Sequence, residues 1–268
     1  MRIVHALARV LRDLPPVRAI RQRAYRRSFA DPRLYGAFHG VYRSFGEAIA
    51  AAPLGNKVGF DHAEFAELYR ERMTTVYPYD YPVLFWLQPL LRSHTVVFDL
   101  GGHVGVQYYG YQRRLTFPEG LKWVVCEVPQ IVAQGAKLAA QQGKPLLSFT
   151  TDVRSADGAA VLIAAGALQY IEAPTLADSL AQLTAPPRHL LLNKLPLHDG
   201  EQFVTLQNAG PVIVAQYVFN RARFIEPLCA LGYEVVDAWE DPGNSCHIPF
   251  HPQVAVRRYS GLYLRMRP

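Results

Sequence analysis

The chain has 268 residues, with 28 Lys and Arg against 22 Asp and Glu for a net charge of +6, and half of its residues are hydrophobic. This composition excludes wholesale disorder and collagen-like repeats, suits one large α/β domain with an extension, and contains no apolar run near the roughly 20 residues a membrane span needs. The charge is uneven. Residues 1–50 hold ten arginines against Asp13, Asp31 and Glu47, whereas the other 218 residues come to −1, which argues against a nucleic-acid groove spread over the fold.

Residues 2–14 read as an amphipathic helix. Ile3, Leu7, Val10, Leu11 and Leu14 line one face, opposite Arg2, Arg9 and Arg12. His5 and Arg9 interrupt the apolar stretch, so it does not read as a signal peptide. Residues 17–29 carry a second arginine-rich helical pattern. Asp31-Pro32 marks a fresh helix start, and Leu34, Phe38, Val41, Phe45 and Ile49 predict one continuous apolar helix face. From Asn56 to Arg92 two more helices are expected, the first capped by Asp61.

After Arg92 short β-rich runs alternate with helical segments. The expected strands are 95–100, 122–127, 146–150, 160–164, 189–195, 233–239 and 259–265. Helical patterns fill 104–115, 129–142, 175–183 and 219–231. This alternation predicts a Rossmann-like α/β fold, a seven-stranded mainly parallel sheet with an antiparallel last strand, plus a helical N-terminal region. The expected organisation is a basic extension over 1–30, a helical cap over 31–92 and a ligand-binding domain over 93–268. Cys126, Cys229 and Cys246 are too scattered for a disulfide framework and suit a reducing, cytoplasmic compartment.

The chemistry concentrates at the end of the first sheet strand. Val96-Val97-Phe98-Asp99-Leu100 runs into Gly101-Gly102-His103-Val104-Gly105, glycines that let the backbone turn sharply beside a ligand. The dinucleotide fingerprint G-x-G-x-x-G does not fit, because its second glycine falls on His103, whose side chain would obstruct a pyrophosphate. A nicotinamide oxidoreductase is disfavoured on that ground. S-adenosylmethionine (SAM) has no pyrophosphate and escapes the objection. The next strand ends in Glu127, 28 residues after Asp99. An acid there either accepts hydrogen bonds from adenosyl ribose hydroxyls or serves as a charge at a helix N-terminus.

The series 99–105, Glu127-Val128-Pro129, Thr151-Asp152 and Ala164–Ile171 resembles the motifs of class I SAM-dependent methyltransferases. The runs Leu191–Gly200 and Ser245–Pro252 resemble, more closely, a bacterial methyltransferase family associated with surface-polysaccharide or O-antigen gene regions. The resemblance implies SAM as cofactor. Asp99, Gly101, Gly102 and Gly105 would hold its methionine end, Glu127 the ribose and Asp152 the adenine amino group, while Ala165, Gly166 and Leu168 would line the fourth-strand edge. His103, standing where the family has a glycine, either touches ligand or caps the loop.

A hydroxyl acceptor needs a base with a pKa near neutrality. His198, beside Asp199 just after the fifth strand, is the candidate, with Tyr170 and Asn193 orienting the acceptor. His247 and His251 lie in a Pro-stiffened aromatic loop expected to cover the acceptor. With Cys246 they raise a metal reading, which is set aside because no second cysteine pair completes a site. The arginine-rich N-terminus reads three ways: a solvated helical pair, a face for anionic lipid, or a site for a phosphorylated carrier or nucleic acid. The expected function is SAM-dependent methylation of a hydroxyl or amine on a surface-glycan or other small-molecule precursor. Residues 1–27 would associate with an anionic membrane surface, placing the protein in the cytoplasm or on the inner membrane. No nucleic-acid partner is expected, and the oligomeric state is left open. The alternative is a catalytically silent SAM-fold module in membrane-associated assembly.

Overall fold

The computed structural model describes residues 14–62 and 71–268. In chain order the first elements are α1 (Pro15–Ser28), β1 (Phe38–Tyr42), α2 (Phe45–Ala50), β2 (Lys57–Val58) and α3 (Tyr81–Leu90). They lead into β3 (Val96–Leu100), α4 (Val106–Tyr111), β4 (Lys122–Cys126), α5 (Pro129–Gln141), β5 (Leu147–Thr150) and β6 (Val161–Ala165). Then come α6 (Leu176–Ala181), β7 (His189–Leu195), β8 (Leu197–His198), β9 (Phe203–Asn208), β10 (Val212–Asn220), α7 (Arg221–Ala230), β11 (Tyr233–Asp241) and β12 (Tyr259–Met266).

The main sheet has seven strands in the order β11-β12-β7-β6-β3-β4-β5. Strands β3 to β7 are mutually parallel, and β12 runs antiparallel to both its neighbours. The inner strands are apolar throughout because helices cover both faces. Val97, Val125 and Ile163 face a core under α3, α4 and α5, whereas Phe98, Leu162 and Leu192 face a second core under α6 and α7. Local signals fix the helix starts. Thr175 and Asp178 close a capping box at α6, and the Asn220 side chain accepts from the Arg223 amide at α7.

A second sheet stands beside the first. Its path is β1-β9-β10-β2, with β8 paired to the far end of β10. Here the expected helix through residues 34–49 is corrected. Phe38–Tyr42 is a strand, and only Phe45–Ala50 is helical, started by Ser44. Gly36 and Gly40 hold φ of +82° and +75°, left-handed conformations that a right-handed helix cannot contain. The hairpin β9–β10 interrupts the doubly wound pattern between β7 and α7, and β1 pairs antiparallel with β9, so strands from either side of the expected 92/93 boundary share one sheet. Phe29, Phe45, Val204 and Leu206 form the core on one face of it.

Helix α1 confirms the arginine-rich pattern of 17–29 and buries none of its residues. The expected helix over 2–14 lies, except for Leu14, outside the described residues, as does 63–70 of the segment expected to be capped by Asp61. The Asp61 carboxylate accepts from the Gln130 amide at the start of α5, at 2.9 Å. No helix among the described residues is long and apolar enough to cross a membrane.

Candidate active site

The carboxyl ends of β3, β4, β6 and β7 open on one cavity of about 740 Å³, within the range of small-molecule sites. Gly101, His103, Glu127, Thr151, Ala165 and Gly166 line its sheet side. Tyr35, Phe38, Phe60, Tyr170 and Tyr259 add an aromatic surface to the lining.

The glycine turn is built as the spacing predicts. Gly101 has φ +71°, and a methyl group on it would come within 2.1 Å of the Ala167 side chain. Gly105 has φ +93° at the start of α4, where a side chain would press on Leu147. His103 also takes a positive φ, +55°, and is buried. Glu127 latches this turn: one carboxylate oxygen accepts from the His103 amide at 3.2 Å and the other from the Val128 amide at 2.9 Å. Burial pushes the Glu127 carboxyl up, against the pull of these two amides. The acid is therefore both a cavity wall and the fastening of the loop.

Asp99 stands under the turn and not in the cavity wall. It is fully buried, accepts from the Trp123 indole at 3.0 Å, and leaves Gly102 no room for a side chain. Burial pushes it up to about 7. Gly102, Gly105 and Leu168 likewise shape the loops from behind the cavity wall, whereas Ala165 and Gly166 line it. Asp152, expected at the adenine, spends its carboxylate on the Arg154 amide and guanidinium at 2.9 Å, and Thr151 faces the cavity in its place.

The residues expected to do chemistry are redistributed. Tyr170 lines the cavity and donates to Gln207 Oε1 at 2.7 Å, its phenol raised by burial. His198 does not reach the cavity. It sits on β8, paired with the end of β10, with Nε2 2.8 Å from the Glu201 carbonyl. A position just after a parallel strand suggests the carboxyl edge, but the inserted hairpin carries this residue away from it. Asn193 is fully buried and engaged at both ends of its amide: Nδ2 donates to the Tyr79 carbonyl at 2.8 Å, and Oδ1 accepts from the Trp239 indole at 3.1 Å. It is a tie between α3's leading turn, β7 and β11. Asn193→Leu is expected to destabilise the protein by about 1–3 kcal/mol in urea unfolding, since both half-buried partners would be left unpaired. His247 is exposed, and His251 lines a different cavity; Gly243, Asn244 and Ser245, earlier in the same loop, reach the first one.

Lys194 is the residue the sequence reading missed. It has φ +56° near the end of β7 and its side chain enters the cavity beside Gly166. Its stem passes 3.5 Å from where a Gly166 methyl group would sit, and its amine lies 4.7 Å from the centre of the Tyr79 ring. Burial pushes the amine down to about 8, opposed chiefly by the Asp80 carboxylate. The available signal was a lone lysine in the otherwise buried run His189–Leu195, at the carboxyl edge.

No family model matches the chain, and no curated protein does. Among solved structures, a SAM-dependent methyltransferase from Aquifex aeolicus superposes with a TM-score of 0.50 at 12% identity, covering 78% of this chain and 100% of its own. The 1,6-didemethyltoxoflavin-N1-methyltransferase of Burkholderia thailandensis, solved with that compound and S-adenosylhomocysteine, gives 0.49 at 19%, covering 81% and 95%. Magnesium protoporphyrin IX methyltransferase from Synechocystis PCC 6803, solved with SAM, gives 0.48 at 12%, covering 78% and 93%. The likeness is one of fold: the chain has the Rossmann-like architecture of the Aquifex methyltransferase.

Proposed function

We propose that this protein is a SAM-dependent methyltransferase acting on a hydroxyl or amine of a small molecule. The observation that carries this reading is the Gly101–Gly105 turn, latched by Glu127 and opening on a cavity that also holds the half-buried Lys194. The residues fit the group. Gly101 presents bare backbone to the ligand, and Glu127 offers a carboxylate to a ribose. When bound, SAM supplies a methyl group already activated on a sulfonium. The protein's share is then to orient, to exclude water and to take a proton from the acceptor. Lys194 serves that last role in place of His198: its neutral amine accepts the hydroxyl or ammonium proton as the acceptor attacks. The aromatic residues of the lining position the acceptor, with the Tyr170 hydroxyl held by Gln207.

A surface-glycan precursor remains the acceptor proposed from the family resemblance. Peripheral attachment to an anionic membrane is proposed from the arginines of 1–27 and from the exposed Val17 and Ile20 on α1. The site is tested by calorimetry. S-adenosylhomocysteine is expected to bind and NAD not to. Glu127→Ala should weaken S-adenosylhomocysteine by about 1–3 kcal/mol, through lost ribose contacts and a loosened turn. An unchanged affinity would take Glu127 out of the site, and NAD binding alone would overturn the cofactor. A protein that binds S-adenosylhomocysteine but transfers no methyl group to any acceptor would favour a silent assembly module.

A further inference from the structure

Helix α1, strand β1 and the loop at 249–251 enclose a second cavity, of about 340 Å³, that shares no lining residue with the first. Arg23 and Arg26 enter it from one face of α1, His39 from β1 and His251 from the loop. Its described lining contains no carboxylate, and among the described residues neither arginine is paired with an acid. Two arginines and two histidines thus converge on a concave surface that, among the described residues, carries no counter-charge.

The wall is built under strain. Phe250, a bulky residue, holds φ +70°. The loop is clasped to α1 there: Arg18 donates to the Phe250 carbonyl at 2.9 Å, and the Arg21 guanidinium lies 5.5 Å from the centre of its ring. His39 is oriented by Tyr42, whose hydroxyl is 3.1 Å from Nδ1, and its ring stacks on Tyr25. We propose that this cavity is a binding site for a phosphate-bearing anion, with Arg23 and Arg26 as charge partners and His39 and His251 as imidazole donors. Arginine forks and protonated imidazoles are suited to phosphate oxygens.

The electrostatics support this. Facing His39 are Arg26 and Tyr25 from α1, Tyr42 from its own strand and His251 from the loop, with Glu47 of α2 behind Tyr42. Burial first, and then the Arg26 charge, lowers His39. Burial and then Arg18 lower His251. Both rings are thus held toward neutrality without a ligand. An anion placed among them reverses the neighbouring charge and raises both, so binding takes up protons and tightens as pH falls.

Two sources carry this chemistry, a free phosphate compound and a phospholipid headgroup. The test titrates inorganic pyrophosphate into the full-length protein by calorimetry at pH 6 and pH 8. In parallel, the protein is co-sedimented with phosphatidylglycerol and phosphatidylcholine vesicles. The double variant Arg23→Gln/Arg26→Gln serves as control; its exposed side chains leave the core intact, and its S-adenosylhomocysteine affinity should match wild type. Pyrophosphate binding that is tenfold or more tighter at pH 6 and lost in the double variant supports a free phosphate ligand. Phosphatidylglycerol-specific sedimentation lost in the double variant, without pyrophosphate binding, supports a headgroup. No binding of either, or binding that the double variant retains, overturns the site. Equal pyrophosphate affinity at both pH values removes the histidines from it. None of these outcomes depends on the first cavity's cofactor, so the methyltransferase reading stands or falls separately.

Discussion

Lys194→Met is expected to lower methyl transfer roughly 10²–10⁴-fold while leaving S-adenosylhomocysteine affinity within about twofold of wild type. Methionine keeps the length and the packing against Gly166 and Tyr79 but has no lone pair able to take the acceptor's proton. The wild-type rate should rise with pH through about 8, as the Lys194 ammonium gives up its proton. That limb should vanish in the variant. Turnover is read with tritiated SAM against hydroxyl and amine compounds. A readout without acceptor is the rate at which acetic anhydride labels each lysine, followed by peptide mass spectrometry from pH 6 to 11. Lys194 should show a midpoint near 8. A midpoint above 10, or full activity in Lys194→Met, would remove it as the base. His198→Ala, in contrast, should be silent in every one of these measurements, because its ring faces the Glu201 carbonyl.

The second large effect lies under the glycine turn. Asp99 titrates near 3.8 when unfolded and at about 7 when folded, because burial disfavours its charge. The folded state therefore binds the proton more tightly, and stability falls as pH rises between these two values. The gap corresponds to about 4 kcal/mol lost from Asp99 by neutral pH. Asp99→Asn keeps the shape and, through its Oδ1, the bond from the Trp123 indole. It should remove that slope, leaving the variant more stable than wild type at pH 8 and no more stable at pH 4. Urea unfolding across pH 4–8 decides it. Parallel profiles for the two proteins would show that Asp99 remains ionised in the fold.

The parallel sheet was legible because buried strands such as Val96–Leu100 and His189–Leu195 have no other way to hide so many apolar side chains. The glycine turn and Glu127 were legible because backbone geometry, which glycine spacing encodes, builds them. What stayed hidden depends on long-range pairing. Leu34, Phe38, Val41 and Phe45 match a helical period, yet β9 supplies an edge that makes Phe38–Tyr42 a strand. The run Phe203–Asn208, Ala209-Gly210-Pro211, Val212–Asn220 carries the alternation and turn residues of a hairpin, but a hairpin inside a doubly wound order has no precedent in the strand–helix rhythm around it. Missing it also misplaced His198. The roles of Asp152 and Asn193 were decided by Arg154, Tyr79 and Trp239, and only the last two lie far away in sequence.

The pairing of β1 with β9 sets a schedule for synthesis. The Thr205 hydroxyl reaches the His39 carbonyl across 166 positions of chain. At roughly 5–20 residues per second, β1 leaves the ribosome about 10–30 s before its partner strand exists. Throughout that interval Phe38 on an edge strand, and Phe29 and Phe45 in the core on the sheet's other side, lack Phe203, Val204 and Leu206, the β9 side chains they pack with. The N-terminal segment is made first and completed late, after most of the main sheet has emerged. Nascent chains of this protein should therefore engage ribosome-associated chaperones early, and slowing translation after β1 should raise aggregation more than slowing it after β10.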